Sequence, residues 1–232
     1  MRIFLVLHPS GNISVPNSMT WYRNLYEPLT DLGYDVYFFR LDNYISNNRL
    51  VFRSLSYRES LSLDLYTTFS NEHNRRPFDL FFAYLTDLDV NTECLQKIKQ
   101  IGIPMFNFSC NNTHQFHLVE PIAHYFDYNL YSEKSSGQKF AQINAPSYWF
   151  QMAANPTHYK PLSLEPKYDV SFVGMNYARR AGYINHLLNG GIHTYCFGSG
   201  WTKPQGLLRL KKWTKKRLKL LILLFRQILR ND

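Results

Sequence analysis

The residues best suited to chemistry in this chain are Gly174, Arg179 and Arg180, in the run DVSFVGMNYARR. An apolar strand that ends in Gly lets the backbone turn sharply and approach a ligand closely. The two arginines follow five and six residues later, where the next helix is expected to start. Unpaired N–H groups at a helix N-terminus, with a guanidinium beside them, suit a diphosphate. The same residues also describe an ordinary strand-to-helix turn with solvated arginines, since neither a G-x-G-x-x-G nor a P-loop is present.

A second group follows the first expected strand: His8, Ser10, Asn12 and Trp21. Ligands of open α/β sheets bind beyond the carboxyl ends of the strands, so these residues could touch an acceptor or simply form a polar loop. Asn111 and Asn112 fill the turn after the fourth expected strand; an amide can hydrogen-bond a sugar but cannot act as a general base. His114 and His117 have chelating spacing at a helix start, yet no Asp or Glu neighbour completes a metal site, and no metal is expected. Asp87, Asp89 and Glu93 read as a solvated loop with acids at a helix start. No nucleophile elbow of the Ser–His–Asp type is visible.

These residues need an alternating strand–helix frame, and the first 150 residues supply its pattern. Strands are expected at 3–7, 34–41, 78–85, 103–108 and 128–132. Helices are expected from Ser18 to Leu32, at 90–101, 114–126 and 133–142, with one or two more before Arg76. Gly33 and Gly102 stop two of them. Pro146, Pro156, Pro161 and Pro166 exclude a helix or central strand and point to a linker over 145–166. The pattern restarts at Asp169. DLGYDVYFF and NGGIHTYCF each leave a helix at Gly and enter a strand, an echo expected of two tandem Rossmann-like units.

The formal charge of +9 invites a nucleic-acid reading until it is located. Nine of the 26 Lys and Arg, and one of the 17 Asp and Glu, lie in 207–232, leaving 17 basic and 16 acidic residues elsewhere. The body is nearly neutral, so nucleic acid is not an expected partner. Three scattered cysteines fit a reducing cytoplasm. The apolar run after Met1 is too short for a signal peptide, and no segment has the ~18–20 apolar residues of a membrane span.

The ordered series N-P-x-x-Y-x-P-L (Asn155–Leu162), DVSFVG, an Arg at the next helix, G-I, and G-x-G-W (Gly198–Trp201) resembles the CgeB-like, spore-maturation type of GT-B glycosyltransferases. FNFSCNNTHQF (Phe106–Phe116) and FDYNLYS (Phe126–Ser132) are similar to that family's first domain. The resemblance covers most of residues 1–201. It implies an α/β fold with a Rossmann-type acceptor-side domain (1–144), the linker, and the start of a donor-binding Rossmann-type domain (167–205). It further implies metal-independent transfer of a sugar from a nucleotide-diphosphate donor to an acceptor. The donor-side candidates are then Gly174, Arg179 and Arg180; the acceptor-side candidates are His8, Ser10, Asn12, Trp21, Asn111 and Asn112. The family places acidic residues where this chain has Asn111 and Asn112, and its second domain continues further, so an incomplete donor domain and weak activity in isolation are expected.

Residues 206–232 form the last expected element. Leu207, Leu210, Leu218, Leu221, Phe225 and Ile228 recur at helical spacing, opposite Lys212, Lys215, Lys216, Lys219, Arg226 and Arg230. Such a basic amphipathic helix suits an anionic membrane surface or an exposed sheet face in equal measure. The corresponding alternative is a non-catalytic glycan- or protein-binding module at the inner face of the membrane.

Overall fold

The computed structural model describes residues 1–10, 19–44 and 54–201. The chain divides into two compact units, Met1–Pro161 and Leu162–Asp232. Ser18, Asn12 and the basic tail lie outside the described residues.

Unit 1 is built on six parallel strands: β1 (Arg2–Leu7), β2 (Asp35–Arg40), β3 (Leu80–Ala83), β4 (Met105–Ser109), β5 (Tyr128–Tyr131) and β6 (Ser147–Trp149). Their order is β2-β1-β3-β4-β5-β6, so the winding reverses between β1 and β3, and the loops after those two strands flank the switch point. β1 is buried at every position, as a strand covered on both faces must be. Phe4 and Val6 pack on one side with Leu61, Leu65 and Phe69 of α2 (Leu55–Arg75) and Leu95 and Ile98 of α3 (Thr92–Lys99). Ile3, Leu5 and Leu7 pack on the other side with Trp21 and the residues around α1 (Glu27–Asp31). Phe4 sits among Phe69 and Phe78 edge-to-face at 5.1 Å each, an arrangement worth about 1 kcal/mol per pair beyond burial.

Local chemistry sets the element ends. Ser54 Oγ accepts the Tyr57 N–H at 3.2 Å to start α2, and Asn91 Oδ1 accepts the Cys94 N–H at 2.9 Å to start α3. Gly33 and Gly102 take the positive φ values, +82° and +85°, that close the helices before β2 and β4.

Two stretches differ from the sequence expectation. The helix expected over 114–126 is instead α4 (Asn112–Gln115) followed by separate 3-10 turns, Phe116–Leu118 and Glu120–Tyr125. Pro121 has no N–H to continue an α ladder and fits only the first turn of a new one. The proline-rich stretch after Ala145 contributes an edge strand, β6, beyond α5 (Gly137–Gln142). Pro146 needs only to accept there: its carbonyl takes the Asn129 N–H at 2.9 Å and Nδ2 at 3.0 Å.

Unit 2 contains β7 (Ser171–Val173), α6 (Arg180–Asn189) and β8 (Tyr195–Phe197), with β7 and β8 parallel. This is the strand–helix–strand unit expected from DVSFVG onward. Among the described residues, no helix is long and apolar enough to cross a membrane.

Candidate functional site

In unit 2, the turns after β7 and β8 are laced together. Gly174 N–H donates to Phe197 O at 2.8 Å, and Asn176 N–H to Ser199 O at 2.9 Å. Asn176 Nδ2 donates to Gly200 O at 3.1 Å, and the Trp201 indole N–H to Gly174 O at 2.6 Å. Gly198, at φ +129°, lies against the Gly174 carbonyl with no room for a Cβ between them. The Gly-ended strand and the G-x-G-W turn thus make one rigid ledge in front of α6.

The two arginines have different tasks. Arg180 folds back over this ledge: one guanidinium nitrogen donates to Met175 O at 3.1 Å, another to the Tyr177 hydroxyl at 3.1 Å, and the group stacks over the Tyr177 ring at 4.1 Å. Its charge is spent on holding the turn. Arg179 is the exposed N-cap of α6, and its guanidinium has no hydrogen-bond or ion-pair partner among the described residues. No side chain caps α6. The Arg180 and Gly182 N–H groups already donate to Tyr177 O at 3.2 Å and Arg179 O at 3.0 Å, so an anion approaching this helix end would meet the Ala181 N–H and an uncommitted guanidinium.

The acceptor-side candidates of unit 1 do not form a single cluster. His8 leaves β1 half-buried, and its Nδ1 accepts the Ser10 N–H at 3.1 Å. Burial lowers the imidazole pKa, with Asp42 and Asp89 opposing and Arg40 adding to the fall. The neutral ring, with Nδ1 accepting, carries its proton on Nε2, which makes His8 a hydrogen-bond donor at the switch point and not a general base through that atom. Burial raises the Asp42 pKa, but the paired hydrogen bonds from Arg40, at 3.1 and 2.6 Å, outweigh it and hold the carboxyl below its ordinary value. Ser10 is buried, and Pro9 O accepts the N–H groups of Trp21 and Tyr22. Trp21 is a core residue of the α1-side layer, edge-to-face with Tyr84 at 5.3 Å and with Phe108 at 5.4 Å.

Asn111 is exposed at φ +62° and turns the chain out of β4; Asn112 is fully buried, its Nδ2 donating to Ser109 Oγ at 2.8 Å. Asn112 is a structural residue. The carboxylate serving this turn comes instead from Glu133, after β5, whose Oε2 accepts the Thr113 N–H at 2.7 Å and hydroxyl at 2.9 Å. The Thr113 N–H is the largest cause lowering the Glu133 pKa, against a smaller rise from burial. Stability from Glu133 is therefore full above the ordinary carboxylate pKa and is lost as pH falls through its lower folded value. We expect the melting-temperature gap between wild type and Glu133→Gln to be open at neutral pH and to close below about pH 4. A gap independent of pH would assign the effect to shape alone.

Asp89 also differs from the solvated loop acid of the sequence reading: it is 7% exposed, and its Oδ2 accepts the Thr86 N–H and hydroxyl at 3.0 and 2.6 Å. Asp87 pairs with Arg58 at 3.1 Å. His114 and His117 are both exposed, and among the described residues no group of three or more His, Cys, Asp or Glu comes together. The Cys94 thiol is pushed up to about 12 by burial, which makes it inert.

No family model matches the chain, and no curated protein is similar to it. Its chemistry rests on its own residues. Glu133 is not legible from spacing, because it reaches the β4 turn from 20 residues further along the chain, after β5. The division of labour between Arg179 and Arg180 was hidden because it depends on where Tyr177 stands.

Proposed function

We propose that this chain is a glycosyltransferase-type protein of the GT-B kind, related to the CgeB-like family, with the diphosphate of a nucleotide-sugar donor held on unit 2. The observation that carries this reading is the uncommitted Arg179 guanidinium at the uncapped N-terminus of α6, beside a glycine ledge that brings backbone close to a ligand. In transfer, the bond from the anomeric carbon to the diphosphate oxygen breaks and a bond to an acceptor hydroxyl oxygen forms. The acceptor's hydroxyl proton passes to solvent water, and the leaving diphosphate gains charge. Fixed N–H dipoles and a guanidinium stabilise that charge without rearranging. Arg180 positions the ledge, and Arg179 meets the phosphate.

The test is thermal denaturation of the full chain with UDP, GDP and ADP. At 100 times its dissociation constant, a bound nucleotide stabilises by about 2.7 kcal/mol. Arg179→Ala is expected to abolish the nucleotide-induced shift while leaving the ligand-free melting temperature unchanged. Arg180→Ala is expected to lower the ligand-free value as well, since Met175 O and Tyr177 lose their partner. If no nucleoside diphosphate shifts the wild type, the donor assignment is wrong.

A further inference from the structure

The two strands of unit 2 carry one covered face and one bare face. Side chains alternate along a strand, so partners in register share a face. Phe172 pairs with Cys196, and both are half-buried on the side of α6. There Phe172 meets the Arg180 guanidinium at 5.6 Å and the Trp201 ring at 5.6 Å. Ser171, Val173, Tyr195 and Phe197 point the other way and are all exposed, Val173 by 80%. Tyr168 lies against this second face, 4.4 Å from Tyr195 and 5.3 Å from Phe197, and widens its aromatic surface. None of the four strand positions carries a charge. Residues 162–201 are described without a break, and α6 is the only helix among them.

A parallel pair bare on one side is an incomplete layer. Parallel strands occur almost only where both faces are covered, and two strands alone are marginal in water. The cover must be apolar where it touches and must span strands that rise about 10 Å. The sequence of 207–232, which belongs to the same unit, has that pattern. Leu207, Leu210 and Leu218 recur at helical spacing, and the lysines on the opposite side can stay in water. A helix from Leu207 to Leu218 is about 17 Å long, enough to cross both strands. The segment also starts close by. Five residues, 202–206, separate Trp201 from Leu207. Extended, they reach about 17 Å, against about 10 Å between packed layers. Pro204 and Gly206 suit the change of direction. A tether this short gives an effective concentration on the order of millimolar, which a second copy in dilute solution does not match.

We propose that the bare face of β7 and β8, centred on Val173, Tyr195 and Phe197, is the docking surface for the chain's own segment 207–232, which lays its leucine stripe across it. One stripe cannot serve the sheet and a lipid surface at once. Docking therefore holds the basic segment back from anionic membranes, and the segment leaves the sheet only by uncovering it. This role does not depend on donor binding at Arg179, which concerns the other side of the strand pair and has its own nucleotide test.

The test is limited trypsin digestion of the full chain, read by mass spectrometry at the seven Lys and Arg between 209 and 219. Val173→Asp puts a charge into the face at a position with little packing to lose, and Val173→Leu keeps the position apolar. Cleavage in that stretch tracks the undocked population. It is expected to be at least about tenfold faster in Val173→Asp than in wild type, and within about twofold of wild type in Val173→Leu. Hydrogen exchange gives a second reading that needs no change in the face. The Tyr195 N–H donates to Val170 O at 3.0 Å, and its exchange is expected to quicken about tenfold when the chain is cut back to Gly206. Equal cleavage of wild type and Val173→Asp overturns the docking, as does Tyr195 exchange that the truncation leaves unchanged. Wild type that sediments with vesicles of phosphatidylcholine and phosphatidylglycerol as fully as Val173→Asp also overturns it, because the stripe is then free for lipid. Wild-type cleavage that slows as protein concentration rises places the stripe on a second copy and overturns the intramolecular assignment.

Discussion

Gly198→Ala is expected to collapse the ledge of unit 2 while leaving unit 1 folded. A Cβ at position 198 would lie 2.7 Å from the Gly174 carbonyl carbon and closer still to its oxygen. Both are backbone atoms, so no side chain can swing away to relieve the overlap. The residue also sits at φ +129°, where a side chain is strained whatever the space. One turn must withdraw from the other, and the bonds that lace them go with it: Asn176 to Ser199 and Gly200, and Trp201 to Gly174. Strain of about 1–3 kcal/mol and three lost hydrogen bonds at about 1 kcal/mol each make a total of about 4–6 kcal/mol. Hydrogen exchange reads this directly. The Gly174 and Asn176 amides are expected to exchange freely in the variant, whereas those of β1 and β3 keep wild-type protection. Two controls separate the clash from a general intolerance of alanine. At Gly200 an added Cβ would meet Asn176 Cβ at 3.0 Å and no backbone atom closer than 3.4 Å, so Gly200→Ala carries the strain of its φ of +88° without the backbone overlap and is milder. Gly182, inside α6, has nothing within 4 Å, and Gly182→Ala should stabilise by about 1 kcal/mol through helix propensity. Unchanged protection of Gly174 and Asn176 in Gly198→Ala would mean that the two turns are not interlocked.

The ledge also shows where sequence reading succeeds and where it stops. The strand, the turn, the helix and the second strand of unit 2 are legible in DVSFVG…NGGIHTYCF because apolar run, glycine and helix length are local signals. The same signals give β1 through β5 and the glycine stops before β2 and β4. Local signals mislead where a residue's role is set by a distant partner. Trp21 looks like an aromatic near a helix start available to a ligand, but the Pro9 carbonyl draws it into the layer beside Phe108. Asn111 and Asn112 look like a pair, yet left-handed backbone exposes the first and Ser109 buries the second. Arg179 and Arg180 are equivalent in sequence and opposite in use, because α6 begins between them and the Tyr177 ring captures only one. Asp89 is acidic and yet buried because the Thr86 backbone and hydroxyl satisfy it. Each of these outcomes turns on geometry that no spacing encodes.

Asn107→Leu carries the second large expected effect, and the sequence offers no warning of it. In FNFS the residue reads as the polar member of an alternating strand, a position expected to face water. It is instead fully buried on the α2 and α3 side of the sheet. The reason lies in β3. Its pairing with β4 ends at Ala83 opposite Asn107, and from there the chain peels away toward the switch-point loop. Leu85 follows, fully buried, with a backbone N–H and C=O that the ladder no longer serves. Asn107 serves them both: Oδ1 accepts the Leu85 N–H at 2.9 Å, and Nδ2 donates to Leu85 O at 3.1 Å. The side-chain amide stands in for one more residue of strand. Leucine matches asparagine in size and supplies neither group, so two backbone atoms are left buried and unpaired. At about 1–3 kcal/mol for each orphaned group, less the gain from an added apolar side chain, the net loss is about 3 kcal/mol. The melting temperature is then expected to fall by about 6–12 °C. Asn107→Asp distinguishes this account from a simple packing defect. The carboxylate can still accept from Leu85 N–H but faces the Leu85 carbonyl with a negative charge, so its loss should exceed that of leucine at neutral pH and shrink on acidification, when the protonated acid can donate. A leucine variant as stable as wild type would show that the loop after β3 finds other partners, and the clamp that shapes the His8 side of the switch point would have to be sought elsewhere.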